Sequence, residues 1–234
     1  MSEHRWDLSP REAIALQREL AARVSCEDAF APPRLIAGVD VSTSRGSEEG
    51  YAAIVVMRWP DLAIVEVGEA RMRLPMPYIP GLLSFREVPV ALAAYARLTQ
   101  QPDLLIVDGQ GRAHPRRFGI ACHLGLLLDK PTIGCAKSIL VGTHEPLALE
   151  RGSTAPLVHR EEVVGVAVRT KNKVNPVYVS CGHRIALSSA VRWVLDCARG
   201  YRLPEPTRQA HLASNAFRLT FAAATPPSAF PPEP

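Results

Sequence analysis

The order of apolar segments predicts an α/β protein: a mixed sheet, with an antiparallel three-strand meander joined to parallel strands, flanked by helices. Two observations carry this. Three strand-like runs, residues 35–41, 51–57 and 63–74, follow one another across gaps too short for crossovers. After them, apolar runs of helical and strand length alternate, the pattern of parallel strands joined by helices. The chain has 234 residues and no internal repeat, so residues 1–224 are expected to form one domain.

The first element is a helix from Ser9 to about Val24. Ser9 can cap it, Pro10 suits the first turn, and Glu12 sits where a capping box needs a glutamate. Pro32 and Pro33 break the chain before the meander. Trp59-Pro60-Asp61 separates its second and third strands. Pro75 to Gly81 is a proline-rich loop, followed by a helix to about Leu98. Leu104–Val107 reads as a short buried strand ending at Asp108-Gly109. A helix over Gly119–Leu128 and a strand over Pro131–Cys135 come next. Val163–Arg169 and Val177–Val179 read as a late hairpin. Leu187–Ala198 is helical, with Ser188 and Ser189 near its start. A last helix runs from Pro204 to about Phe221. Residues 225–234 are proline-rich without periodicity and are expected to be disordered.

Composition narrows the function classes. Hydrophobic residues make up 47% and charged residues 21%, which describes a soluble globular chain. The net charge of +4 permits a polyanionic partner without requiring one. Five cysteines without a CxxC pair argue against a disulfide framework or a zinc site. The first ten residues lack an apolar signal core, and no run approaches a membrane span. A reducing cytoplasm is the expected compartment. Of 27 basic residues only Lys130, Lys137, Lys171 and Lys173 are lysines, so a lysine kept at a strand end draws notice.

Two aspartates occupy strand ends. Asp40 follows Leu35–Val39, and Asp108 follows Leu104–Val107. Ligands of open α/β sheets gather outside the carboxyl ends of strands. Two carboxylates there would repel unless a divalent cation joined them. The other reading is that each merely caps a turn. Glu87 ends Ser84-Phe85-Arg86-Glu87, a capping box by pattern, which favours a structural role; Pro89 lies too deep for that helix start. Gly109 to Arg117 combines glycines that allow close backbone approach with arginines that could neutralise phosphates or simply face solvent. Lys137 follows another strand and is either a phosphate contact or a surface lysine. Met76–Gly81 holds Tyr78 and Ile79 between prolines, as a stiff wedge or as a loop folded back on the core. His211, on the last helix, reads as structural or solvated on its own.

Together these segments resemble the endonuclease V family. The matching stretches are IAGVDVS (Ile36–Ser42), PYIPGLLSFRE (Pro77–Glu87), DGQGRAHPRRFGIACHLG (Asp108–Gly125), GCAKS (Gly134–Ser138), GHRI (Gly182–Ile185) and PEPTRQAH (Pro204–His211). They span most of the chain, from about Leu35 to Arg218, in the family's order. The resemblance implies an RNase H-like fold. It implies a Mg²⁺-dependent endonuclease of DNA repair, with Mn²⁺ able to substitute. Such an enzyme nicks the second phosphodiester bond 3′ to hypoxanthine (deoxyinosine), leaving 3′-hydroxyl and 5′-phosphate ends. Asp40, Glu87 and Asp108 become metal-binding carboxylates, and His211 joins them as a site residue through a metal-bound water. His114 and Lys137 would line the scissile phosphate. Pro77, Tyr78, Ile79 and Pro80 form the strand-separating wedge. Gly81, Leu83, Gly109, Gly111, Ile120 and Leu140 form the base pocket. Cys181 is a departure, standing where relatives carry proline before Gly-His. The expected partner of this monomer is DNA containing deaminated bases, with no membrane involved. The rival readings are an inosine-directed ribonuclease, a non-catalytic nucleic-acid-binding protein on the same scaffold, and a junction resolvase. The PYIPG loop argues against the last.

Overall fold

The computed structural model describes residues 4–44 and 47–223. Helix α1 (Pro10–Ala21) begins with the expected capping box, Ser9 and Glu12 each satisfying the other's backbone N–H. Strands β1 (Leu35–Thr43), β2 (Glu49–Arg58) and β3 (Ala63–Arg73) form the antiparallel meander. Helix α2 (Leu83–Tyr95) leads to β4 (Leu104–Val107), and α3 (Ile120–Leu128) to β5 (Thr132–Ala136). Then follow β6 (Thr154–His159), β7 (Glu162–Val168), β8 (Val177–His183), α4 (Leu187–Asp196) and α5 (Glu205–Ala223). The eight strands form one sheet in the order β3-β2-β1-β4-β5-β8-β7-β6. Strands β1, β4 and β5 run parallel at its centre. The expected class holds, but the sheet does not end on its parallel strands.

Two local expectations need correction. The late hairpin is a three-strand ribbon, because β6 precedes β7 and pairs with it. Its turn is Arg160-Glu161, both at positive φ (55° and 66°). Such a turn normally advertises itself by Asn-Gly or Asp-Gly, which this turn lacks. Second, Ser84 and Glu87 form no capping box. Leu82 is the N-cap of α2, with no side-chain hydrogen bond. Glu87 therefore lies beyond the first turn, free of any capping duty, and the helix continues through Pro89. Near α4, Ser188 and Ser189 do not cap either: Asp28 accepts from the Ala186 N–H (2.9 Å) and the Ser189 hydroxyl (2.6 Å).

Alternation along the strands sorts side chains onto two faces. Ile36, Leu104 and Ile106 face α4 and α5, whereas Ala37, Val39, Leu105 and Val107 face α2 and α3. Asp40 and Asp108 carry on the first set, and both turn toward α5. That helix lies directly on β1. At Gly38 a Cβ would fall 1.9 Å from the Pro206 carbonyl oxygen, so only glycine admits this contact. The buried face of α5 continues through Thr207, Ala210 and Ser214, small residues at helical spacing. All five cysteines are free, four of them buried, as expected of small core residues. No described helix is long and apolar enough to cross a membrane. The tail at 225–234 lies outside the described residues.

Candidate active site

In the sheet, Gly38 pairs with Ile106 and Val39 with Val107 in parallel register. The next residues in each strand direction are Asp40 and Asp108, brought side by side by register alone. The Asp108 N–H donates to the Val39 carbonyl at 2.9 Å, which fixes the Asp108 backbone beside β1. Helix α5 then lays His211 over the pair. One ligand atom each from Asp40, Asp108 and His211 fall within 4.8 Å of one another. His211 Nδ1 is 3.4 Å from Asp40 Oδ2. Lys137, just beyond β5, places Nζ 2.5 Å from Asp108 Oδ2 and 3.4 Å from His211 Nδ1.

Electrostatics single out the same place. Burial, then the charge of Asp40, pushes the Asp108 carboxyl up to about 6, against the opposing pull of Lys137. Glu87 reaches the cluster from α2 without belonging to the tight trio. Burial, then Asp40 and after it Asp108, pushes it up to about 8, with Arg86 opposing. Buried carboxyls beside like charges, held this far above their ordinary range, mark a candidate functional site. Two carboxylates and an imidazole, with a third carboxyl nearby, suit a hard divalent ion.

A stability prediction follows from the sign of these shifts. A carboxyl whose pKa rises on folding leaves the folded chain holding more protons than the unfolded one. Its cost is absent in acid and grows as pH climbs from the ordinary carboxylate range toward the raised value. The metal-free chain should therefore melt at a lower temperature at about pH 8.5 than at about pH 6. Saturating Mg²⁺ should raise the melting temperature by roughly 5–10 °C at the higher pH and by less at the lower one. Equal shifts at both pH values in scanning fluorimetry would contradict the metal-site reading.

Side chains behind the cluster fix its orientation, as outer partners of metal ligands do. The buried Ser214 hydroxyl donates to Asp40 Oδ2 in a short bond. Asn215 donates to the His211 carbonyl at 2.7 Å, and its own carbonyl accepts from Ser42 at 2.9 Å. Sequence reasoning missed Ser214 and Asn215. The available signal was spacing, since they follow His211 by three and four residues on one helix face.

Beside the cluster opens a cavity of about 310 Å³ lined by Gly81, Leu83, Gly109, Ile120 and Leu140, five of the six residues expected in a base pocket. Asp108 and Lys137 form part of the same wall. Gly111 stands behind the wall instead, packed against the Cys181 carbonyl. Ser84, Gln110, Ser138 and Ile139 also line the cavity and were not anticipated. Its size suits one base rather than a run of nucleotides. Tyr78 stands at its rim, 65% exposed, flanked by exposed Pro77 and Pro80. Met76 and Ile79 fold inward against Ala13, Leu82 and Phe85. The loop therefore combines both readings: a projecting tip on a buried footing. His114 lines the cavity, but it is buried and its ring contacts the Gly81 carbonyl and the Arg116 N–H rather than the carboxylate trio.

The Endonuclease V family model matches residues 18–212. The curated Endonuclease V of Dehalococcoides mccartyi is 55% identical over 211 residues, covering 90% of this chain and 95% of the relative. The crystal structure of Endonuclease V from Streptomyces avermitilis superposes with a TM-score of 0.87 at 41% identity, covering 94% of this chain and 96% of the other. The Ciona intestinalis Endonuclease V structure, at 27% identity and TM-score 0.77, covers 90% of this chain and 98% of its own. It was solved in complex with a 24mer DNA containing an inosine followed by a ribo-adenosine. The fold is thus the RNase H-like one that the motifs implied.

Proposed function

The chain belongs to the endonuclease V family, and from that premise we propose that it nicks DNA at the second phosphodiester bond 3′ to hypoxanthine in a Mg²⁺-dependent reaction leaving 3′-hydroxyl and 5′-phosphate ends. The observation that carries the proposal is adjacency: a base-sized cavity shares Asp108 and Lys137 with the acidic cluster. A base held in the cavity brings its own backbone to the carboxylates. The inosine-containing DNA bound by the Ciona relative supports this choice of base.

Asp40, Asp108 and His211 would hold the metal, with Glu87 alongside; Mn²⁺ is expected to substitute for Mg²⁺. When bound, the ion supplies charge stabilisation at the phosphate and lowers the pKa of water. The protein's own residues do the rest. Ser214 occupies one Asp40 oxygen and so sets the direction of the carboxylate. The Lys137 ammonium, drawn to Asp108, lies where it can neutralise a phosphate oxygen and steady the attacking water. Gly109 presents backbone rather than side chain to the base, which suits reading of the hypoxanthine N1–H and its carbonyl oxygen. Tyr78, between Pro77 and Pro80, would enter the stack as the base leaves it.

The test is nicking of matched oligonucleotides carrying inosine, uracil, a mismatch or no lesion, in Mg²⁺ and in chelator. Inosine-dependent, chelator-sensitive nicking at the second phosphodiester bond 3′ to the lesion is expected. Cleavage of all substrates alike, or of none, would refute the assignment. The ribo-adenosine in the Ciona complex favours an RNA-directed activity as the second reading. An inosine-containing RNA arm in the same assay separates the two. The chain is expected to act as a monomer in the cytoplasm.

A further inference from the structure

Three side chains converge on one backbone oxygen, the carbonyl of Gly81. Gln17, buried on α1, donates from Nε2 to it at 3.1 Å and to the Phe118 carbonyl at 2.8 Å. Arg116 donates from Nη2 to it at 2.7 Å, while Arg116 Nε donates to Gln17 Oε1. His114 Nε2 completes the set at 3.1 Å. The His114 Nδ1 accepts the Arg116 backbone N–H at 3.1 Å, so the ring proton sits on Nε2 and is donated to Gly81. Burial, and then the Arg116 charge, pushes this histidine down to about 4, which keeps it neutral in that tautomer.

A carbonyl oxygen has two lone pairs, so three donors exceed what satisfying it requires. The location explains the excess. Gly81 is the hinge between the Tyr78 tip and α2, the helix that carries Glu87. It sits at φ +79°, and a Cβ there would come within 2.7 Å of Arg116 Nη2. The Leu82 N–H closes the turn onto the Ile79 carbonyl at 2.9 Å. No α1 residue lines the cavity, yet Gln17 spans from α1 to both the hinge and the loop after Asp108.

We propose that Gln17 is a positioning residue that, with Arg116 and His114, pins the Gly81 carbonyl and so keeps the Tyr78 tip at fixed height over the cavity while a duplex is opened. The proposal rests on the wedge reading of Tyr78 given above. Opening a duplex loads the tip against base stacking, and a tip on an unpinned hinge yields to that load. Single-stranded substrate imposes no such load.

Gln17→Met keeps the side chain's length and removes its hydrogen bonds. Single-turnover nicking should fall about ten-fold on an inosine duplex and less than about two-fold on the single strand of the same sequence. Gln17→Glu keeps the pairing with Arg116 but has no proton to donate; it should show the same selective loss. A general loosening of structure would lower both substrates together, and a melting curve above the assay temperature establishes that each variant is folded. If Gln17→Met does not fold, Gln17→Glu decides the matter. Tyr78→Ala is measured in parallel. Selective loss in Tyr78→Ala with equal losses, or none, in the Gln17 variants overturns the pin and leaves the wedge standing. Equal losses in Tyr78→Ala overturn both.

Discussion

Asp108→Ala should reduce nicking of an inosine-containing duplex by about 10³-fold or more while leaving the chain folded. The expectation comes from where Asp108 sits. It touches the Asp40–His211 group, it pairs with Lys137 at 2.5 Å, and it forms part of the cavity wall. Its loss would remove a proposed metal ligand and leave the Lys137 ammonium without its anchor. Folding should not suffer. Asp108 is a largely buried carboxyl beside two others, and its removal takes away the smallest of the contributions that raise Glu87, after burial and Asp40. Lys137 is 37% exposed, so water replaces the partner it loses. The metal-free variant should melt no lower than the parent, and the gain on adding Mg²⁺ should vanish. Asp40→Ala should match it in activity but not in stability, because Ser214 then loses the carboxylate it donates to. Near-normal nicking by either variant would remove the basis for the metal site.

Gly38→Ala is the second large effect, and it involves no charged group. The added methyl would lie 1.9 Å from the Pro206 carbonyl oxygen and 2.1 Å from its carbon. Backbone sits on both sides of that contact, so neither partner can rotate away. Helix α5 must lift off β1, at a cost of about 3 kcal/mol or more. His211 and Ser214 ride on that helix, and lifting it draws both away from Asp40. Nicking should therefore fall by about a hundred-fold or more, even at temperatures where the variant remains folded. Denaturant unfolding reads the first effect and a low-temperature nicking assay the second. A midpoint unchanged from the parent would show that α5 does not rest on Gly38.

Much of this was legible because it rests on short-range rules. The α1 cap is written in Ser9, Pro10 and Glu12. The meander follows from gaps too short for anything else, and Asp40 and Asp108 declare themselves by ending apolar runs. What escaped depends on contacts between distant segments or on uncommon backbone states. Strand β6 was hidden because Arg160 and Glu161 adopt positive φ without any glycine or asparagine to announce it. The capping-box pattern at Ser84–Glu87 misled, because the turn at Ile79–Leu82 starts the helix earlier and releases the glutamate. Sequence favoured a structural Glu87; its high pKa beside Asp40 and Asp108 now speaks for the site. Gln17 gave no signal at all, since a glutamine on an amphipathic helix usually faces water, and only the fold shows what it reaches.

Helix α5 has a consequence for the order in which the molecule becomes competent. A chain leaving the ribosome can pair β1 with β4 and bring two carboxylates together long before His211 and Ser214 exist. Until Glu205–Ala223 emerges and settles on Gly38, those carboxylates lack the imidazole above them and the hydroxyl that orients one of them. A nascent or clipped chain that stops short of this helix should not nick an inosine-containing duplex. On this reading nicking activity arrives only with α5, after β1 to β8 have had time to form.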